Sequence, residues 1–114
     1  MKLIDSFKHA IEGLINTASV EKNLKIHFMA MICVIVLGLI VRLTVFEWIV
    51  CIILFGLVIS AEIFNTAIEK TMDYINEDHD EDIKFIKDAS AGAVLVLSII
   101  SVVIGLIIFI PKIV

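Results

Sequence analysis

The sequence predicts an all-α membrane protein, an N-terminal amphipathic surface helix followed by three transmembrane helices, in a single domain over residues 1–114. Composition points there first. Of the 114 residues, 61% are hydrophobic and mean hydropathy is +1.09, against about 45–50% apolar in soluble domains. A chain this short has too much surface for its volume to hide those side chains from water, so lipid is the matching solvent. Punctuation points the same way, because one proline and five glycines leave helices free to run long. The third sign is the spacing of charge, which leaves three nearly uncharged runs between polar segments.

Residues 1–24 form the surface helix. Leu3, Ile4, Phe7, Ala10, Ile11, Leu14, Ile15 and Ala18 recur at helical spacing, and Lys2, Asp5, Lys8, Glu12, Glu21 and Lys22 fill the other side. Such a helix lies in the membrane interface. This segment lacks the pure apolar core and small-residue cleavage site of a signal peptide, so the expected compartment is the cytoplasmic membrane itself.

The first span, 26–46, carries one charge, Arg42, and at ~1.5 Å per residue it crosses a hydrocarbon core of roughly 30 Å. Arg42 and Glu47 bracket a short turn, with Trp48 at the level of an aromatic belt. The second span, 48–75, starts without charge and continues through Glu62 with no glycine or proline after Gly56 to stop it. Residues 76–87 read as a polar connector, and 88–110 as the third span, ended by Pro111 and Lys112. Cys33 and Cys51 sit inside apolar runs and read as small buried hydrophobes.

Lysine and arginine set the orientation. Lys2, Lys8, Lys22, Lys25, Lys70, Lys84 and Lys87 fall on one side, against Arg42 and Lys112 on the other. The positive-inside rule then puts the N-terminus and the 76–87 connector in the cytoplasm and the C-terminus outside. A net charge of −4 argues against a nucleic-acid partner.

The second span ends in ISAEIFNTAIEKTMD, residues 59–73. At ~100° per residue, Asn65 lies about −60° from Glu62, Thr66 about +40°, Glu69 about −20° and Asp73 about +20°, so all share one face. With Trp48 at the outer boundary, Glu62 lies ~21 Å in, still some 9 Å short of the cytoplasmic edge of the core. A carboxylate there costs ~2 kcal/mol or more to insert and calls for a partner, a proton or a polar cleft. Polar glue between helices is the plain alternative. Two glutamates and an asparagine on one face favour chemistry. Glu62 stands where it can accept a proton from a lipid hydroxyl. Glu69, two turns away at the interface, can hold a hard cation such as magnesium, which keeps substrate phosphates in its shell. Lipid phosphorylation from a cytoplasmic phosphate donor fits that combination.

Two more clusters complete the candidate site. Lys87 is a cation at the membrane edge, able to meet a polyphosphate, and Asp88 beside it stands where a cap or first-turn acid would stand. Taken alone, the pair reads as an interfacial anchor and a cap. Glu21, at the entry to the first span and near the level of Glu69, reads alone as a solvated acid, yet it can complete a two-carboxylate cation site. Neither a P-loop nor a kinase glycine-rich loop is present in the sequence.

EIFNTAIEKTMD, from Glu62 to Asp73, resembles the E-x-x-N-S/T-A-I-E-x-x-x-D segment of the small bacterial integral-membrane lipid kinases, the diacylglycerol kinase and undecaprenol kinase family. FIKDASAGAVLVL is similar to that family's Lys-Asp segment, and SFKHAIEGL followed by EKNLKIH to its N-terminal pattern, so the resemblance covers nearly the whole chain. It implies Glu62 as catalytic base, Glu21 and Glu69 as magnesium ligands, and Asn65 as a substrate-positioning residue. It further implies nucleotide contacts from Glu21, Glu69, Lys87 and Asp88, and from Asp78, His79 and Asp80 in the connector. ATP and Mg2+ are the implied co-substrate and cofactor, and a homotrimer with sites shared between subunits is the implied assembly. His27 stands where the enterobacterial branch has an acid, and EKNLKIH looks more like the Gram-positive branch, which favours undecaprenol over diacylglycerol as acceptor. The competing class is a small non-enzymatic membrane interaction protein; a transporter would want more spans and a charge at the midplane.

Overall fold

The computed structural model describes residues 2–75 and 80–114. They form four helices: α1 (Lys2–Val20), α2 (Lys22–Val41), α3 (Val45–Ile75) and α4 (Glu81–Ile113). The last three are long and apolar enough to cross a membrane, which makes the chain an all-helical protein of three candidate spans behind an N-terminal helix.

Each boundary has a local cause. Glu21 adopts an extended backbone (φ −95°, ψ 115°) and separates α1 from α2 by a single residue. The N-terminal helix therefore ends at Val20, and the next helix starts at Lys22, before its apolar run. Arg42 takes a left-handed conformation (φ 60°, ψ 65°) after α2, and Leu43 N donates to Gly38 O at 3.1 Å, a left-handed helix stop. Thr44 and Glu47 then form a reciprocal capping box that starts α3. Glu47 N donates to Thr44 Oγ1 at 3.2 Å, and Thr44 N to Glu47 Oε1 at 2.9 Å. The first span thus stops at Val41 rather than 46, because the turn lies inside the apolar run. Trp48, expected only as a belt residue, also covers Gly38: a Cβ there would meet Trp48 Cη2 at 2.7 Å and Leu43 Cδ1 at 2.8 Å.

The largest departure from expectation is α4. Asp80 Oδ1 accepts from Asp82 N at 2.7 Å and caps a helix that opens with Glu81 and Asp82. Residues 81–87, expected as connector, are helical, and Asp88 lies two turns inside α4 rather than at its cap. At the other end the helix carries past Pro111 to Ile113.

Packing is closest between α3 and α4, which run antiparallel. Two ion pairs fix their register: Glu47 with Lys112 at 2.9 Å, and Asp73 with Lys87. The pairs are about 26 residues apart on α3 and about 25 on α4, or ~38 Å, so a hydrocarbon core of ~30 Å fits between them. The apolar core is small: Leu43, Cys51 and Phe109, packed by Val34, Val41, Trp48, Phe55 and Ile108. Most other large apolar side chains, including the whole apolar face of α1, are exposed, as lipid-facing surface is. Cys51 is buried as expected, whereas Cys33 is exposed on α2.

Candidate active site

The buried polar residues Glu62 (2% exposed), Asn65 (6%) and Thr66 (3%) lie together on α3. This inverts the rule for water-soluble proteins, in which acids stay outside and leucines inside. The polar face that helix geometry sets is buried at Glu62, Asn65 and Thr66, half-buried at Glu69 and exposed at Asp73. Thr66 Oγ1 donates to the main-chain oxygen of Glu62 at 3.1 Å. Asn65 Nδ2 donates to Glu69 Oε1 at 2.9 Å, one turn on. The amide thereby holds the half-buried Glu69 carboxylate in one orientation. Two buried oxygens, Glu62 Oε1 and Asn65 Oδ1, have no hydrogen-bond partner among the described residues. Buried polar atoms are nearly always satisfied, so these two mark where a polar ligand would fit.

One neighbour faces Glu62 from another helix. His27 Nε2, on α2, lies 3.6 Å from Glu62 Oε2. His27 also lines one end of an apolar cavity of about 510 Å³ between α2, α3 and α4. That cavity passes Val58, Cys51 and Phe109 and reaches Ile113 at the far end of α4. Its walls are hydrocarbon with two serines, Ser98 and Ser101, and it approaches Glu62 through His27, since Glu62 itself does not line it.

Other candidates fall at the same end of the α3–α4 pair. Lys87 forms an ion pair with Asp73, the last member of the α3 stripe. Asp88 is exposed and paired with Lys84 at 2.5 Å. Asp80 is the cap of α4, and Glu21 is half-buried at the α1–α2 break, with no side-chain cap bond. Asp78 and His79 lie outside the described residues. Among the described residues no group of three or more His, Cys, Asp or Glu side chains converges on one point. Glu69 offers a carboxylate whose Oε1 is held by the Asn65 amide, and a magnesium ion takes few protein ligands and completes its shell with water and phosphate.

Sequence reasoning assigned no role to His27 or Asp73. Asp73 was readable as a member of the stripe, but its partner on α4 was not. His27 was read only as a mark of the branch that the chain resembles, and its place opposite Glu62 was not legible.

The model of the family described as prokaryotic diacylglycerol kinase matches residues 8–109. The chain is 43% identical over 111 residues to the undecaprenol kinase of Bacillus subtilis, covering 97% of this chain and 90% of that one. It is 29% identical over 104 residues to a diacylglycerol kinase of Synechocystis, covering 90% of this chain but 59% of the longer relative. With a family match over nearly the whole chain, and a buried glutamate at the matching motif, this protein belongs to the prokaryotic diacylglycerol kinase family.

Proposed function

We propose that this protein transfers the γ-phosphoryl group of Mg-ATP to the primary hydroxyl of undecaprenol at the cytoplasmic face of the membrane. That it is a lipid kinase follows from its family. Undecaprenol is preferred to diacylglycerol as acceptor because the undecaprenol kinase relative matches at 43% and over almost its full length, the diacylglycerol kinase at 29%. The observation that carries the mechanism is the buried Glu62 carboxylate with Oε1 unpartnered, beside an apolar cavity long enough to take part of a lipid chain.

In this reading the lipid tail occupies the cavity and its hydroxyl meets Glu62 Oε1. Glu62 accepts the hydroxyl proton as the oxygen attacks the γ-phosphorus. Asn65 holds Glu69 in place and offers Oδ1 to the reacting groups. Glu69 and Glu21 would hold the magnesium ion, which neutralises phosphate charge when bound. Lys87 exchanges Asp73 for the nucleotide phosphates, Asp88 and Asp80 contact the nucleotide, and the family resemblance assigns it contacts from Asp78 and His79 as well. A homotrimer would close the open side of the cavity, since one chain leaves much of α2 and α4 uncovered. The N-terminus and the α3–α4 connection are cytoplasmic by the lysine count.

The test is a side-by-side assay of the purified protein in vesicles, given Mg-ATP and either undecaprenol or diacylglycerol. Undecaprenol should be phosphorylated with the higher kcat/KM. The reverse order would make this a diacylglycerol kinase, and transfer to neither would refute the reading.

A further inference from the structure

Phosphoryl transfer from ATP to an alcohol releases one proton per turnover. Glu62, the group placed to receive it, is 2% exposed and lies within a membrane span. A carboxylic acid sealed there cannot accept the next proton until it has lost the first. One route for that proton is a second acceptor standing between Glu62 and water.

His27 occupies that position. Its Nε2 is 3.6 Å from Glu62 Oε2, and its side chain is 24% exposed against 3% for Glu62. The separation exceeds a hydrogen bond, and catalytic contacts often lengthen without substrate and tighten with it. The two carboxylate oxygens are already differentiated, Oε2 toward the imidazole and Oε1 unpartnered. Among the described residues, no other lysine, arginine or histidine lies within ion-pair distance of Glu62; the other ion pairs of α3, Asp73–Lys87 and Glu47–Lys112, lie toward its two ends. His27 sits on α2 and Glu62 on α3, so the pair bridges two helices at the polar end of the apolar cavity.

We propose that His27 is a positioning residue for Glu62 that also carries its proton out of the site. The hydroxyl proton passes to Glu62 Oε1 as the new O–P bond forms. The bond from the γ-phosphorus to its bridging oxygen breaks, and ADP leaves with that electron pair. The carboxylic acid then turns about its Cγ–Cδ bond so that the protonated oxygen meets His27, gives its proton to Nε2 of the neutral ring, and the imidazolium passes it to water at the exposed edge of the ring. The carboxylate is restored for the next turnover. The inference rests on the reading of Glu62 as base.

The experiment uses the full chain in phosphatidylglycerol vesicles with a C55 polyprenol and Mg-ATP. H27A should lose ~100-fold in kcat, the low end of the usual acid–base contribution, with both KM values within about twofold of wild type. Added imidazole should restore H27A in a concentration-dependent way. H27Q, which keeps an N–H near the place of Nε2 but carries no proton, should stay slow. Wild-type kcat in H27Q overturns the relay, and so does an H27A deficit that imidazole leaves unchanged. E62Q separates the two ideas: full activity in E62Q removes the base assignment and the relay with it, whereas an inactive E62Q beside a fully active H27Q removes the relay alone.

Discussion

Replacing Glu62 by glutamine should move activity and stability in opposite directions. The side chain keeps its length and its place on the buried face of α3, so packing changes little. The carboxylate, however, is 2% exposed, and Oε1 has no partner among the described residues. A charged carboxylate within a span costs ~2 kcal/mol or more to bury, and a neutral amide removes part of that cost. The folded state of E62Q should therefore be as stable as wild type or up to ~2 kcal/mol more stable. Activity should fall by ~10²–10⁴ in kcat, or ~3–5 kcal/mol of barrier, the usual contribution of a positioned base. The assay pairs phosphoryl transfer in vesicles with unfolding in mixed micelles of rising SDS content. A structural role predicts the opposite pattern: E62Q would unfold at lower SDS, and its activity would track the folded fraction. That result, or unchanged kcat, would refute the assignment.

Lys87→Ala should raise KM for Mg-ATP by ~10-fold or more and leave KM for the lipid alone, because it removes the cation proposed to meet the nucleotide phosphates. Asp73→Asn should lower KM for Mg-ATP or leave it unchanged, since it frees that cation; a rise as large as that of K87A would mean the ion pair itself is needed. Glu69→Gln keeps an acceptor for the Asn65 amide but loses the charge, so the magnesium concentration for half-maximal rate should rise ~10-fold while unfolding is unaffected. Gly38→Ala should destabilise the chain by ~1–3 kcal/mol in the mixed-micelle assay, because its Cβ would stand 2.7 Å from the Trp48 ring; a change below ~0.5 kcal/mol would show that the turn yields freely.

The parts of the site that were legible in the sequence are those set by one helix at a time. Glu62, Asn65 and Glu69 share a face because each residue advances ~100°, and Glu62 and Asn65 are indeed buried there. The departures share one cause: hydropathy marks where lipid begins, whereas caps and turns mark where a helix begins. Residues 26–46 read as one span although the left-handed Arg42 turn sits inside it. The Thr44–Glu47 capping box was present in the sequence as T-V-F-E and dates the true start of α3. Asp80 followed by two acids likewise announced the start of α4, ahead of the membrane entry near Asp88.

Composition and periodicity by themselves determined the three long apolar helices, the N-terminal helix and the polar stripe, because each depends only on the pattern within one segment. What faces the stripe was decided by tertiary structure. His27 meets Glu62, and Lys87 meets Asp73 rather than open solvent, through the packing of separate helices. No pattern within one helix encodes a partner's register. Here the register is fixed by two ion pairs ~38 Å apart and by the close approach of Trp48 to Gly38. The chain alone therefore announces an acid in the membrane, and the packing of its helices supplies the acid's neighbours.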